Sequence, residues 1–164
     1  MSFLTSEIWK RNSGVIKAVN ALHSVLKQAK DNIVIYSKDL LDELYFKDKI
    51  NEAITNALDN NVKIVFLYNE SNDNNINIRE FLARNIERKN IFFLKIEENV
   101  NIDFLVVDKK YIRIEFDREN HSARFLDKIT NEAEERQSKE WVDMIYNFLQ
   151  NKIIQNLKDA NNTD

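Results

Sequence analysis

The stretch Ile102-Asp103-Phe104-Leu105-Val106-Val107-Asp108-Lys109-Lys110-Tyr111-Ile112-Arg113-Ile114-Glu115-Phe116 decides how the chain is read. Ile102 to Val107 and Tyr111 to Phe116 are short and β-branched or aromatic, as strands require. The link Asp108-Lys109-Lys110 is too short for a crossover, so the two strands form an antiparallel hairpin. Ile112, Ile114 and Phe116 alternate with Arg113 and Glu115, which predicts one wet face and a place at the sheet edge.

Upstream, three segments have a different character. Asn32-Ile33-Val34-Ile35-Tyr36-Ser37, Val62-Lys63-Ile64-Val65-Phe66-Leu67-Tyr68 and Ile91-Phe92-Phe93-Leu94-Lys95-Ile96 are short, largely apolar runs. Such runs mark strands buried on both faces. Between the first two, a helix starting at Asp48 carries Ile50, Ala53, Ile54, Ala57 and Leu58 on one face and ends at Asn60-Asn61. Strand, helix, strand with short links predicts parallel pairing. An asparagine-rich loop, Asn69 to Asn77, and a helix from about Ile78 to Lys89 lead to the third strand.

Amphipathic helices flank this body. One is expected from about residue 5 to residue 30, with Ile8, Val15, Val19, Leu22, Val25 and Leu26 at helical spacing and Asn12-Ser13-Gly14 as a kink. Downstream of the hairpin, a loop holds His121. A long helix from about Asn131 to Leu157 then carries Trp141, Met144, Ile145, Phe148, Leu149 and Ile153. The expectation is one α/β domain over residues 1–158, with a mixed, mainly parallel central sheet flanked by long N-terminal and C-terminal helices. Residues 159–164 are expected to fray.

Composition narrows the chemistry. The 164 residues contain no cysteine or proline, one glycine and two histidines, and the net charge is -3. Without cysteine there is no thiol nucleophile, disulfide or cysteine-ligated zinc. One glycine cannot build a phosphate-cradling loop, so Walker-type and Rossmann nucleotide sites are excluded. Asparagine must then serve turns that need positive φ. No cofactor or metal ligand set is expected. No basic, apolar leader is visible and no apolar run reaches the roughly 20 residues that span a bilayer. A cytoplasmic protein without membrane contact is expected.

The order of elements resembles one half of the phospholipase D superfamily. Three local stretches carry the resemblance: Asn32 to Ser37, Ala57-Leu58-Asp59-Asn60-Asn61-Val62-Lys63-Ile64-Val65, and Ile102 to Tyr111. Together they extend it over about residues 10 to 150. That family's motif is His-x-Lys-x-x-x-x-Asp, in which the histidine attacks phosphorus and the lysine binds the phosphate oxygens. Residues i and i+2 of a strand share a face, so both can enter one pocket. The matching positions here are Asn101, Asp103 and Asp108. An amide is not a usable nucleophile at phosphorus, and Asp103 places negative charge where a phosphate would sit.

The resemblance therefore implies a non-catalytic domain, a binding or scaffold module whose ligand is an unidentified protein or small molecule. It also implies a homodimer, by analogy with single-half relatives. Lys109, Lys110 and His121 are the candidate ligand-binding residues. Two alternatives belong to other classes. One is a nucleic-acid-binding accessory protein using the basic first helix and Lys109-Lys110. The other is a metal-dependent hydrolase using Asp103 and Asp108 with Asp117 and Glu119.

Overall fold

The computed structural model describes residues 9–37, 44–45, 47–69, 80, 83–85, 87–96 and 100–161, without the side chains of 69 and 152–161. The expected asparagine-rich loop after Asn69, positions 78, 79, 81, 82 and 86 of the expected Ile78–Lys89 helix and the side chain of Ile153 lie outside those residues. Strand β1 (Lys10–Asn12) is followed by α1 (Val15–Leu26), β2 (Asn32–Ser37), α2 (Asp48–Asp59), β3 (Lys63–Asn69) and β4 (Ile91–Ile96). The chain continues through β5 (Asp103–Val107), β6 (Tyr111–Asp117) and β7 (Ser122–Leu126) to the long helix α3 (Glu132–Asn161).

All seven strands form one sheet in the order β1-β7-β6-β5-β2-β3-β4. The βαβ reading holds: β2 and β3 are parallel, and so are β3 and β4. The expectation of a mainly parallel sheet does not. The β2–β5, β5–β6, β6–β7 and β1–β7 pairs are all antiparallel. Two strands absent from the sequence reading make the difference. β7 occupies what was expected to be the His121 loop, and β1 occupies the start of the expected first helix. β6 is consequently an inner strand, not an edge, and Arg113 and Glu115 are only 4% and 1% exposed.

The first helix is shorter than expected because its chain enters through β1. Gly14 has φ 82, a conformation that favours glycine, and its N–H donates to Asn120 O at 2.7 Å. Ser13 and Ser122 share a hydrogen bond, and Lys10 pairs with Asp127. These ties hold residues 10–13 on β7, so α1 begins only at Val15.

Helices cover both faces of the sheet. Ala18, Ala21, Leu22, Val25 and Leu26 form the buried stripe of α1, and Ile50, Ile54, Ala57 and Leu58 that of α2. They pack on Ile33, Ile35, Ile64, Phe66, Leu105 and Val107. On the other face, Val142, Ile145 and Leu149 of α3 meet Val34, Tyr36, Phe104, Val106, Ile112 and Ile114. Met144, expected on that stripe, is 54% exposed. Asn131 opens α3 with a reciprocal cap: it accepts from Glu134 N and donates to the Glu134 carboxylate.

Candidate functional site

β5 runs antiparallel to β2, so it starts at the edge where β2 ends, with Phe104 opposite Tyr36. Asn101 lies just before β5 and is exposed. Asp103 opens the strand and is 7% exposed. Its carboxylate accepts from Arg118 Nε at 2.8 Å, while Arg118 Nη2 also donates to Val100 O at 2.6 Å. Arg118, in the β6–β7 turn, therefore neutralises Asp103 and clamps the segment leading into β5. No feature of the sequence singled it out.

Asp103 is the cross-strand neighbour of Glu115, beside a closed ring of polar side chains. Arg113 donates to Glu115 at 3.1 Å and to Asn12 Oδ1 at 3.3 Å. Asn12 Nδ2 donates to His121 O at 2.8 Å, and His121 Nδ1 lies 3.3 Å from the same Glu115 carboxylate. Burial pushes the Glu115 carboxyl above its usual range, and the Asp103 charge adds to this; Arg113 and His121 pull the other way. Two carboxylates and two guanidiniums thus balance within the protein on the face that α1 covers.

Asp108 stands at the other end of β5, about 16 Å from Asp103 at the rise of an extended strand. Its carboxylate accepts three backbone N–H groups: Lys30 and Asp31 at 2.8 Å and Asn32 at 2.9 Å. With φ 54 it also turns the β5–β6 hairpin, followed by Lys109 at φ 56. Lys109 Nζ sits 5.3 Å from the centre of the Tyr146 ring. Lys110 is exposed, and its carbonyl accepts from Ser138 Oγ. Lys109 and Lys110 border a cleft of about 410 Å³ with Tyr111, Ser138 and Lys139. His121 lies at the opposite end of the sheet, so the three candidate ligand-binding residues are not brought together.

Nor are the carboxylates proposed for a metal. Asp103 is engaged by Arg118 and Asp108 by backbone. Asp117 binds Asn120, whose side chain and backbone hold its carboxyl below the usual range. Among the described residues, no group of three His, Cys, Asp or Glu side chains is placed to hold a metal ion. Among them too, no helix is long and apolar enough to cross a membrane.

No family model matches the sequence, and no curated protein is significantly similar to it. Solved structures do share its architecture. TrmBL2, an archaeal chromatin protein with a novel mode of DNA binding, superposes with a TM-score of 0.62 at 10% identity over 92% of this chain. This chain spans only 55% of that protein. NucT from Helicobacter pylori gives 0.60 at 15% identity, covering 88% of this chain and 96% of its own. Nuc from Salmonella typhimurium, a phospholipase D family member, gives 0.57 at 12% identity, covering 90% and 95%. At such identities the likeness speaks for the fold, and together with the sheet order it shows that this chain has a phospholipase D-like fold.

Proposed function

We propose that the chain is a non-catalytic binding or scaffold module on a phospholipase D-like fold, working as a homodimer. The supporting observation is the pair Asp103–Arg118, 2.8 Å apart. At the positions that resemble the catalytic motif, a carboxylate replaces the phosphate-binding lysine, and the guanidinium beside it is already engaged. Asn101 supplies no nucleophile. A phosphodiester approaching this edge meets a carboxylate, and the guanidinium beside it is already paired. The test is hydrolysis of bis(p-nitrophenyl) phosphate by the purified protein, with its mass followed by light scattering. No turnover above buffer is expected. Turnover abolished by Asp103→Asn would refute the proposal, and a monomer at all concentrations would remove the dimer from it.

Nucleic-acid binding is the second reading, supported by the fold shared with a DNA-binding chromatin protein. Lys17, Lys27, Lys30 and Lys110 are exposed. Binding of this kind weakens steeply as salt rises, because phosphate contacts release counterions. A gel-shift series against single- and double-stranded DNA and RNA tests it. Absence of any complex at low salt removes the reading.

A further inference from the structure

The edge of the sheet formed by β1 and β7 sets two arginines directly opposite each other. Arg11 is the register partner of Arg124, and Arg124 is that of Ile114. Their side chains therefore leave the sheet on the Ile114 face, the one covered by α3. Side chains in such a pair start about 5 Å apart, and like charges there repel. Arg124 is 9% exposed, and its Nε and Nη1 are buried without a hydrogen-bond acceptor. A guanidinium cannot escape by losing its proton. Arg11 is exposed and forms no ion pair among the described residues. The other buried charged groups described, Asp103, Arg113 and Glu115, all have partners of opposite sign.

Alternation along the strands places Ser13 and Ser122 on the same face, one row further along. Their hydroxyls are exposed and 2.9 Å apart. The exposed Arg11 fork and the two hydroxyls offer N–H and O–H donors, and with the buried Arg124 guanidinium beside them the charge is doubly positive. A carboxylate would balance half of that charge. A phosphate, with a charge of about -1.5 to -2 when singly esterified and with several acceptor oxygens, balances it and fits the fork geometry.

We propose that Arg11 and Arg124, with Ser13 and Ser122 beside them, form a phosphate-binding site on the α3 face of the sheet. The Asp103 frame lies on the opposite face, so the site stands or falls independently of whether that frame is inert. Bound phosphate supplies the counter-charge that the buried guanidinium lacks. The phosphate is a monoester, carried by a small phosphorylated molecule or by the end of a nucleic-acid strand; a backbone diester has one charge and balances no more than a carboxylate.

The experiment compares wild-type protein with Arg11→Met, Arg124→Met, Arg124→Lys and the control Lys17→Met. Each is titrated by calorimetry and melted in sodium phosphate and in sodium chloride of equal ionic strength. Phosphate, but not chloride, is expected to raise the wild-type melting temperature. Its affinity should fall at least about tenfold in each methionine variant, with a smaller loss in Arg124→Lys. Lys17→Met should keep the wild-type response. In chloride, Arg124→Met should melt above wild type, because it buries no unpaired charge. An unchanged phosphate affinity in Arg11→Met, whose exposed position leaves folding intact, overturns the proposal. So does a wild-type protein that does not distinguish phosphate from chloride. A single-stranded oligonucleotide with a 5′-phosphate in the same titrations separates the two sources. Binding tighter than inorganic phosphate, lost in the same variants, assigns the site to a phosphorylated strand end, and binding of inorganic phosphate alone assigns it to a small phosphorylated ligand.

Discussion

β2, β3 and β4 make up one half of the sheet, and β5, β6, β7 and β1 the other. Among the described residues of the parallel half the buried side chains are almost all apolar, with Ile33, Ile35, Ile64 and Phe66 fully enclosed and Ser37 as the polar exception. In the antiparallel half, Asp103, Arg113, Glu115 and Arg124 are buried along with the apolar residues. Apolar burial stabilises without needing any one partner. A buried charge is tolerable only where a specific partner meets it. The parallel half therefore has the character of a frame, and the antiparallel half is where a ligand, a proton or a substitution can change the balance.

Four substitutions probe that contrast. Phe66 is enclosed, stacks on Phe93 at 5.5 Å and meets Tyr45 edge-on at 6.4 Å. Phe66→Ala should cost about 4 kcal/mol in denaturant unfolding, the largest effect of the set. Next, Glu115→Leu should cost about 3 kcal/mol because Arg113 keeps a buried, unpaired charge, while Arg113→Met combined with Glu115→Leu should return to within about 1 kcal/mol of wild type. A double variant as unstable as the single one would mean that the pair is not what distinguishes the two halves. At the seam between them, Asp108→Ala should cost about 2 kcal/mol, since one carboxylate accepts three backbone N–H groups.

The smallest effect is in pH dependence. Burial raises the Glu115 carboxyl above its ordinary value of 4.5. Between that value and the raised one, the folded protein binds more protons than the unfolded chain. Stability contributed by this group therefore falls as pH rises through the window. Asp117, held low by Asn120, acts in the opposite sense and loses its contribution as pH falls. Comparing wild type with Glu115→Gln isolates the first effect: the wild-type advantage should be greatest near pH 4.5 and shrink toward neutrality. A difference that stays flat with pH would place Glu115 outside this account.

The parallel half was legible because its strands are apolar runs bounded by asparagine, and their pairing followed from the helix between them. The β5–β6 hairpin was legible from its short turn. The antiparallel edge was not. Lys10-Arg11-Asn12 has no strand pattern of its own and is a strand only because β7 presents a partner. Arg113 and Glu115 alternate with apolar residues as solvent-facing residues do, yet they face inward as an ion pair. The sequence carries the same alternation in both cases and does not say which side is wet. Asn101, Asp103 and Asp108 could be picked out through the resemblance to the phospholipase D superfamily. Arg118 could not, because its partner lies 15 residues earlier across a turn. Arg124 left one overlooked signal, the alternation of Ser122, Arg124 and Leu126 that marks β7 itself.

The Asp108 carboxylate also bears on how the fold is reached. The β5–β6–β7 meander closes through short-range contacts, whereas the bonds from Asp108 reach 76 to 78 residues back along the chain. Chain entropy must be lost before such contacts are made, and here three of them form on one group. Docking of the meander onto the start of β2 is then a single cooperative event, and we expect it to contain the folding barrier. Asp108→Ala should slow refolding more than it speeds unfolding in stopped-flow measurements; the reverse would place the barrier elsewhere. On this view Asp108 acts as the latch that commits one half of the sheet to the other.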